Sequence, residues 1–356
     1  MSINAIVTGG AGFIGSALVH ALLREPGAKV TVYDKLTYAG RLENLAPVAA
    51  HPGYRFVKAD ILDGHRFREL LSEAKPNVVF HLAAESHVDR SIEDGGLFIR
   101  TNVEGTERLL AATLDYYRSL DDAGRAAFRF VHVSTDEVFG ALGEQGAFTE
   151  LSPYAPNSPY AASKAASDMI ARAYFRTYAL PVLVTNCSNN FGPRQFPEKL
   201  IPLCLVRAMS GQPLPIYGKG EQVRDWLFVD DHVEALMAVA ARGAAGETFC
   251  IGGGTEMPNI DTIKHLCDLL DRVRPRADGS HHALITYVAD RPGHDFRYSI
   301  DNGKIAATLG WKPRHSFASA LETTVRWYLD NESWLTSIKD SAGDTTARRG
   351  LAAMPR

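Results

Sequence analysis

The sequence of 356 residues is poor in cysteine and carries little excess of charge. Only four cysteines occur, and none is spaced as a CxxC pair. We therefore expect no metal site and no disulfide framework, but buried reduced thiols of the kind found in cytoplasmic proteins. The adjacent His281 and His282 lie in a polar stretch, and we expect both to face solvent rather than to bind zinc. The cysteines are Cys187, Cys204, Cys250 and Cys267.

Long hydrophobic runs and long basic runs are also missing. No stretch of about 18 apolar residues occurs, which predicts no transmembrane helix and no membrane partner. The N-terminus opens on a strand pattern without a charged region and an apolar run, so we expect no secretory signal. With 38 basic against 41 acidic residues and a net charge of -3, nucleic acid is not an expected partner.

The first half of the chain alternates regularly between strand-like and helix-like segments. Apolar β-branched runs separated by helices indicate parallel strands that are buried on both faces. We therefore predict an α/β fold with a Rossmann-type doubly wound parallel sheet. The predicted strands are INAIVTG, KVTVYD, YRFVKAD, NVVFHLA, FRFVHVS and PVLVTNC. Predicted helices include residues 13–25, 65–74, roughly 91–120 and a stretch after Tyr160.

The first strand runs into the glycine-rich stretch TGGAGFIG. It can be read as GxGxxG, with Gly10, Gly12 and Gly15, or as GxxGxxG, with Gly9 in place of Gly10. Between a strand and a helix, such glycines let a pyrophosphate approach backbone amides at a helix N-terminus. The stretch therefore predicts a dinucleotide site.

The acidic residues that end the second and third strands bear on which dinucleotide is bound. Asp34 ends the second strand, where a carboxylate bonds the ribose hydroxyls and repels a 2′-phosphate. This favours NAD over NADP, although the neighbouring Lys35 is a cation that could tolerate the phosphate. Asp60 either contacts the adenine or caps the following helix. Small residues after the fourth strand, Ala83 and Ala84, suit a cofactor path or tight packing.

The composition changes after about residue 190, where proline and glycine become frequent. We predict an NAD-binding domain at residues 1–190 and a smaller C-terminal α/β substrate-binding domain at 191–335. A helix near 230–242 is expected to pack back on the first domain, and another helix is predicted from about 316 to 335. Residues 336–356 lack sustained periodicity, and we expect them to form a flexible tail.

Two groups of residues carry the predicted chemistry. Tyr160 and Lys164 form YAASK, and at this spacing they share one helix face. A cation beside a tyrosine favours its phenolate and makes it a usable base near neutrality. Thr135 ends the fifth strand, where such sites hold a substrate hydroxyl. Asp136 and Glu137 follow, and two neighbouring acids at the end of a buried strand repel each other and lose hydration, so they serve either a function or a loop cap.

The TGGAGFIG loop, a threonine after the fifth strand and YxxxK together resemble the extended short-chain dehydrogenase/reductase family. Within it, STDEVFG resembles the nucleotide-sugar 4,6-dehydratases, above all those that act on dTDP-glucose. Two departures are Phe139, where the family usually has tyrosine, and Phe296, at a position that is often basic. The resemblance covers residues 3–335 and includes AAESHVDRS, TNCSNNFGPRQFPEKLIP, VRDWLFVDDH and RPGHDFRYSID.

The resemblance implies an NAD-dependent lyase that converts dTDP-glucose into dTDP-4-keto-6-deoxyglucose. Tyr160 would take the C4 hydroxyl proton while hydride leaves C4 for NAD. The ketone acidifies the C5 proton, which Glu137 would remove, and Asp136 would protonate the departing C6 hydroxyl before hydride returns to C6. It also implies a homodimer that is built from the helices near 91–120 and 160–178.

The resemblance assigns the residues of the site as well. The implied catalytic residues are Thr135, Asp136, Glu137, Tyr160 and Lys164. The implied NAD contacts are Gly9, Gly12, Phe13, Ile14, Gly15, Asp34, Lys35, Thr37, Asp60, Ile61, Leu82, Ala83, Ala84, Thr101, Tyr160, Lys164 and Cys187. The implied contacts with the nucleotide sugar are Ser86, Thr135, Asn189, Glu198, Lys199, Leu200, Arg224, Asn259, Arg291 and His294.

Three other functions compete with this interpretation. A UDP-sugar 4-epimerase would use the same Tyr160, Lys164 and glycine loop, but it does not need an acid pair after Thr135. A UDP- or CDP-sugar 4,6-dehydratase shares the chemistry and differs only in contacts with the base. A non-enzymatic NAD-sensing or scaffold protein could lose the tyrosine, the lysine or the acids, all of which are present here.

Overall fold

The computed structural model describes residues 2–290 and 292–342, with side chains up to residue 338. The described residues form twelve strands: β1 (Asn4–Thr8), β2 (Lys29–Asp34), β3 (Tyr54–Lys58), β4 (Val78–His81), β5 (Arg129–Thr135), β6 (Val182–Cys187), β7 (Asn189–Phe191), β8 (Leu214–Tyr217), β9 (Val223–Phe228), β10 (Thr248–Ile251), β11 (Glu256–Pro258) and β12 (Ile285–Val288).

The same residues form thirteen α-helices: α1 (Phe13–Leu22), α2 (Gly64–Ala74), α3 (Val88–Glu93), α4 (Gly95–Phe98), α5 (Gly105–Ser119), α6 (Asp122–Ala127), α7 (Pro159–Tyr178), α8 (Leu200–Met209), α9 (Val229–Arg242), α10 (Asn259–Val273), α11 (Gly303–Leu309), α12 (Phe317–Asp330) and α13 (Glu332–Ala342). Short 3₁₀ segments lie at Leu42–Val48, Asp136–Phe139 and His281–Leu284, and Ile99–Glu104 is a π-helix.

A seven-stranded parallel sheet forms the centre of the molecule, in the order β3–β2–β1–β4–β5–β6–β10. Helices α1 and α9 contribute to the apolar core on one face, whereas α2, α5 and α7 contribute to the core on the other. The strand order reverses between β1 and β4, which opens a crevice at their carboxyl ends. The predicted doubly wound α/β fold is confirmed.

After β6 the chain forms further strands and helices, called the second layer here, although one later strand belongs to the central sheet. Strands β11, β9 and β7 form one small sheet, and β12 pairs with β8 in another. Strand β10 lies within the range predicted for the substrate domain, yet it pairs in parallel with β6 at the edge of the central sheet. Helix α9 packs against α1. The chain therefore returns to the central sheet after forming strands of the second layer.

The long helix predicted near 91–120 is interrupted in the structure. Asp94 ends α3 and caps α4, because its carboxylate accepts hydrogen bonds from the backbone N–H groups of Gly96 and Leu97. The π-helical stretch that follows contains Asn102, whose side chain bonds the backbone of Glu85. Helical periodicity alone does not predict this break, since it depends on the cap formed by the Asp94 side chain.

The predicted flexible tail begins too early. Residues 332–342 form α13, and Trp334, Leu335 and Ile338 are buried in the core of the second layer. The indole N–H of Trp334 also donates to the Asn44 side chain, 2.8 Å away. An apolar residue roughly every helical turn was the signal for this helix. The remainder of the predicted tail, residues 343–356, lies outside the described residues.

The predicted exposure of the adjacent histidines is wrong for one of them. His281 is buried, and its ring bonds the Asp271 carboxylate, whereas His282 is partly exposed and bonds Asp268. All four cysteines are buried and free. Among the residues described, no group of histidine, cysteine and acidic side chains is arranged to hold a metal ion. Over the same residues, no helix combines the length and the apolar character needed to cross a membrane.

We expect the folded state to lose stability when the pH falls below about 6.5, because buried histidines stay neutral in it. Burial lowers the pKa of His232 from 6.5 to about 3 and also lowers the pKa values of His81 and His132. These histidines therefore bind protons in the unfolded chain at pH values at which they stay neutral in the folded chain. Each such group removes up to about 1.4 kcal/mol of unfolding free energy per pH unit below 6.5.

Urea unfolding at a series of pH values between 7.5 and 5 tests this expectation. His232→Gln removes one titrating ring and should make the loss of stability shallower. His65→Gln is the matched control, since the His65 side chain is 80% exposed. If the unfolding free energy of His232→Gln had the same pH dependence as that of the parent, the loss of stability could not be assigned to His232.

Candidate active site

A cavity of about 400 Å³ lies where the carboxyl ends of the central strands face the second layer. Most of the residues predicted for the site line it. From the predicted cofactor set these are Gly9, Gly12, Phe13, Ile14, Gly15, Asp34, Lys35, Thr37, Ile61, Leu82, Ala83, Ala84, Thr101, Tyr160, Lys164 and Cys187. From the predicted catalytic and substrate sets they are Ser86, Thr135, Asp136, Glu137, Asn189, Glu198, Lys199, Leu200, Arg224, Asn259 and His294.

The glycine loop between β1 and α1 forms one wall of this cavity. Gly9 has φ +69°, and a Cβ there would lie 2.6 Å from the backbone nitrogen of Ala83. A Cβ at Gly15 would lie 2.1 Å from the carbonyl oxygen of Gly9. The loop therefore packs backbone against backbone and leaves the N-terminus of α1 open to a phosphate group. Gly10 packs under Val32 instead, which favours the reading with Gly9, Gly12 and Gly15.

We expect Gly15→Ala to weaken NAD binding at least about tenfold, a loss of about 1.4 kcal/mol. The methyl group would meet the Gly9 carbonyl and displace the loop. Calorimetric titration of protein stripped of cofactor measures the affinity. Gly143→Ala is the matched control, because a Cβ there meets no atom within 4 Å. Equal affinity in Gly15→Ala and the parent would contradict the assigned role of the loop.

The buried carboxylate of Asp34 closes the far end of the glycine loop. Its oxygens accept hydrogen bonds from the backbone N–H groups of Ala11 and Leu36, at 3.0 and 2.8 Å. Burial raises the pKa of Asp34, and these two hydrogen bonds oppose the rise. The cation of Lys35 lies 3.4 Å from the Asp60 carboxylate, which offsets part of its charge. An acid at the cavity wall and a neutralised lysine suit a ribose without a 2′-phosphate.

Asp60 is absent from the described residues that line the cavity. Besides contacting Lys35, its carboxylate accepts a hydrogen bond from the backbone N–H of Leu62 at 3.0 Å. The cap of α2 is Asp63, which accepts from the Arg66 N–H. Asp60 therefore stabilises the turn that precedes the helix cap.

Thr135, Asp136 and Glu137 lie where β5 turns into a 3₁₀ segment. The Thr135 side chain caps this segment by accepting from the Glu137 backbone N–H at 3.3 Å, and its hydroxyl donates to Asp136 at 3.2 Å. The same hydroxyl lowers the pKa of the Tyr160 phenol. One threonine thus interacts with both the buried acid and the tyrosine. The loop-cap role that the sequence left open belongs to Thr135 rather than to the two acids.

Asp136 is fitted to act as an acid. Burial raises its pKa well above the usual range, and the carboxylates of Glu137 and Asp225 raise it further, against the opposing effect of Arg224. The raised pKa favours the protonated form of the side chain, which can donate a proton. Among the described residues, its Oδ2 atom has no hydrogen-bond partner. Glu137 is only half buried. The two adjacent acids thus differ in environment, as a division between acid and base requires.

Tyr160 and Lys164 lie on α7, which begins after the Ser158 cap. Their interaction differs from the prediction. The Lys164 ammonium donates to the backbone carbonyl of Val133, 2.9 Å away. Burial raises the pKa of Tyr160 well above its usual range and Glu137 raises it further, while the Thr135 hydroxyl lowers it. A phenolate at this position needs an additional positive charge in the cavity.

Most of the predicted substrate residues lie on the side of the cavity formed by the second layer, whereas Ser86 follows β4 and Thr135 ends β5 of the central sheet. The Lys199 ammonium donates to the backbone carbonyl of Ser86 at 2.8 Å, which joins the loop after β4 to the start of α8. The Arg224 guanidinium lies 4.5 Å above the Tyr298 ring and donates to the backbone carbonyl of Asp295. Arg291 was also predicted for this side, and it lies outside the described residues.

Several lining residues were missed by sequence reasoning. Glu85, Ser188 and Gln195 lie inside the quoted motifs, so their position next to predicted residues was an available signal. Ile216 and Tyr217 line the cavity from β8, and nothing in the strand LPIY indicates this. Of the two departures, Phe139 packs against Phe148 and Tyr154, and Phe296 is exposed.

Comparisons with known proteins agree with this geometry. A family model described as GDP-mannose 4,6 dehydratase matches residues 6–324. The dTDP-glucose 4,6-dehydratase of Xanthomonas campestris pv. campestris (strain B100) is 55% identical over 338 residues, covering 95% of this chain and 96% of the relative.

Two solved structures extend the comparison. The dTDP-glucose 4,6-dehydratase of Streptomyces venezuelae, solved with NAD and dTDP bound, has 48% identity and a TM-score of 0.86 over 94% of this chain and 99% of that one. That of Bacillus anthracis, in complex with NAD, has 43% identity and a TM-score of 0.84 over 95% and 100% of the two chains. With a match of this extent to a family model and to relatives, the chain belongs to the dTDP-glucose 4,6-dehydratase family.

Proposed function

We propose that the protein is an NAD-dependent lyase that dehydrates dTDP-glucose to dTDP-4-keto-6-deoxyglucose. The observation that carries the proposal is the shared cavity, in which a buried acid and a half-buried acid lie beside Tyr160 and face a dinucleotide loop. The relatives named above are enzymes of this activity, and two of them were solved with NAD. The sequence prediction of NAD as the cofactor is confirmed.

The glycine loop and Asp34 would hold the pyrophosphate and the adenosine ribose of NAD, and Tyr160 and Lys164 would lie at its nicotinamide end. When bound, NAD supplies an electron-pair acceptor for C4, a donor for C6 and, in its oxidised form, a positive charge beside the phenol. That charge is what the Tyr160 phenolate lacks in the protein alone.

Tyr160 begins the reaction as a base that takes the proton of the C4 hydroxyl while C4 becomes a ketone. The Thr135 hydroxyl lowers the pKa of the phenol, and it can donate to the ionised form once its single proton turns from Asp136 to Tyr160. Lys164 is anchored on the Val133 carbonyl, and its ammonium can bond the ribose of the cofactor.

The two acids then remove water from the ketone. Glu137 takes the C5 proton, because the adjacent C4 carbonyl makes this proton acidic. Asp136 donates its proton to the C6 hydroxyl, which leaves as water, and a C5–C6 double bond forms. Reduction at C6 and return of a proton from Glu137 to C5 complete the product. The elimination needs one acid that gives a proton and one that takes a proton, and the burial that raises the pKa of Asp136 favours Asp136 as the donor.

The alternatives are weaker on the same observations. A UDP-sugar 4-epimerase would use Tyr160 and the glycine loop but has no use for a protonated acid next to a base. A UDP- or CDP-sugar dehydratase would differ in the base contacts. High identity to relatives named for dTDP-glucose favours that substrate.

The direct test compares dTDP-glucose with UDP-glucose as substrates of the purified protein, with the products identified by NMR. We expect 4-keto-6-deoxyglucose from the dTDP sugar, and many turnovers per bound NAD without an external oxidant, because the electron pair taken from C4 returns to C6. Consumption of one NAD per turnover, or a C4 epimer as the product, would contradict the proposal. Faster conversion of UDP-glucose would contradict the substrate assignment alone.

We further propose a cytoplasmic homodimer. Large apolar side chains are exposed on neighbouring helical segments, with Leu97 41%, Ile99 52% and Met169 56% accessible. They lie in the two helical regions that the resemblance implies for the dimer. Burial of this face against a second copy would remove it from water. Sedimentation should give twice the chain mass of 38.9 kDa, and a monomer at micromolar concentration would contradict the homodimer.

The proposed cytoplasmic location is supported by the four buried free thiols, which suit a reducing compartment.

A further inference from the structure

A layer of buried polar side chains lies directly beneath the catalytic residues and takes part in none of the steps above. Asp168 is at its centre. It follows Lys164 by one turn of α7 and Tyr160 by two, and its side chain has no exposed surface. A carboxylate buried this deeply is costly unless it is bonded and charge-compensated.

Three side chains meet the Asp168 carboxylate. Its Oδ2 accepts hydrogen bonds from the Tyr154 hydroxyl at 2.9 Å and from the Asn186 amide at 3.0 Å. Its Oδ1 lies 3.0 Å from Nε2 of His132. Burial lowers the pKa of His132, so the ring is neutral and donates when its proton is on Nε2. With three donors around it, the carboxylate is bonded as an acceptor at both oxygens.

These bonds join the elements that carry the catalytic groups. His132 lies on β5, Asn186 lies on β6, and Asp168 itself lies on α7. The Asn186 amide also donates to the backbone carbonyl of Thr135, 3.1 Å away. The helix that carries Tyr160 is thus connected through two side chains to the strand end that carries Thr135 and the acids.

Asp168 also has a role in charge balance. Lys164 is a fully buried cation, and burial lowers its pKa while the Asp168 carboxylate raises it. The histidines that face it are neutral because burial lowers their pKa values, and the thiol is neutral because burial raises its pKa to about 12. The groups that interact electrostatically with Lys164 are Asp168 from α7, His81 from β4, His132 from β5 and Cys187 from β6.

We propose that Asp168 is a positioning residue of the reaction, which fixes the end of β5 against α7 through Asn186 and provides the counter-charge of Lys164. The inference rests on the proposed function, because its test requires turnover of dTDP-glucose. Asp168 touches neither substrate nor cofactor in this role, and it acts through Thr135 and Lys164.

Asp168→Asn separates charge from hydrogen bonding. The amide oxygen can still accept from Tyr154 and Asn186, and the amide nitrogen can donate to His132 once the ring proton moves to Nδ1. Without the neighbouring anion, Lys164 loses its proton more readily. We therefore expect the alkaline limb of the kcat/KM profile to move to lower pH by about 1 unit. Tyr154→Phe is the matched control: it removes one neutral donor from the same carboxylate, and it should leave that limb in place.

Asn186→Ala tests the connection to Thr135 without changing any charge. We expect kcat to fall roughly tenfold or more with the alkaline limb unmoved, since small misplacements of catalytic groups are costly. Thermal melting shows whether each variant is folded. If Asp168→Asn does not fold, the Asn186→Ala result decides, and a parental kcat there overturns the proposal.

The outcomes separate the two claims. A parent protein that does not turn over dTDP-glucose contradicts the proposed function. An active parent, together with a folded Asp168→Asn variant whose pH profile superimposes on that of the parent, contradicts only the role of Asp168.

Discussion

Replacing Tyr160 by phenylalanine is expected to lower kcat/KM for dTDP-glucose by at least roughly 100-fold. The ring would still pack against Phe98, which lies 6.2 Å away between centroids, but the acceptor of the C4 hydroxyl proton would be gone. The hydroxyl that bonds Thr135 would be lost with it. Initial rates of product formation measure this effect.

Two controls make the result specific to the base. NAD affinity of the Tyr160→Phe variant, measured by calorimetric titration, should stay close to that of the parent, because the phenol lies at one end of the dinucleotide site. Tyr174→Phe removes a hydroxyl from the same helix, where it bonds Glu107 at the surface, and should leave the rate unchanged. Parental activity in Tyr160→Phe would remove Tyr160 as the base.

The second large effect concerns the two acids, which should separate by reaction step. Glu137→Gln removes the base for C5, so C4 can still be oxidised while incorporation of deuterium from D₂O into C5 is lost. Asp136→Asn retains Glu137, so exchange at C5 should persist. Loss of the C6 hydroxyl should then slow by roughly 100- to 10,000-fold, the usual contribution of a well-placed acid. Mass spectrometry of sugars recovered from D₂O follows both events.

The adjacency of the acids calls for a charge control. Glu137 raises the pKa of Asp136, so Glu137→Gln also lowers it somewhat, although burial remains the larger cause of the raised value. Glu144→Gln removes one exposed carboxylate of the following loop and should alter neither step. The assigned roles would be wrong if Glu137→Gln incorporated deuterium at the normal rate, or if Asp136→Asn lost water as fast as the parent.

Local patterns in the sequence were sufficient to predict six of the seven strands of the central sheet. Most of the predicted strands are rich in apolar residues, as a parallel sheet buried on both faces requires, whereas the edge strand β3 is only partly buried. The turn from β1 into α1 was predicted equally well. Its glycines are needed because a Cβ at Gly15 would meet the Gly9 carbonyl and a Cβ at Gly9 would meet the Ala83 backbone. Strand β10 was not recognised, since a four-residue segment of a distant part of the chain gives no sign of which sheet it joins.

Long motifs within the chain identified the family and the types of residue at the site. What they could not determine is the state of those residues. The sequence places Lys164 one helical turn from Tyr160 and predicts an ion that favours the phenolate. The tertiary structure turns the ammonium to the Val133 carbonyl and surrounds the phenol with apolar and acidic groups, so its pKa rises instead.

The sequence by itself therefore determined the fold class, the dinucleotide loop and the identity of the acid pair, because these depend on short-range patterns of residue type. Only the tertiary structure decided that Asp136 has a raised pKa, since that depends on burial and on Asp225, far along the chain. It also decided how α7 is held against β5, through Asp168 and Asn186, which no local pattern connects. Desolvation and long-range contacts arise only in the packed chain. They determine the pKa values and the positions of side chains whose identity alone is given by the sequence.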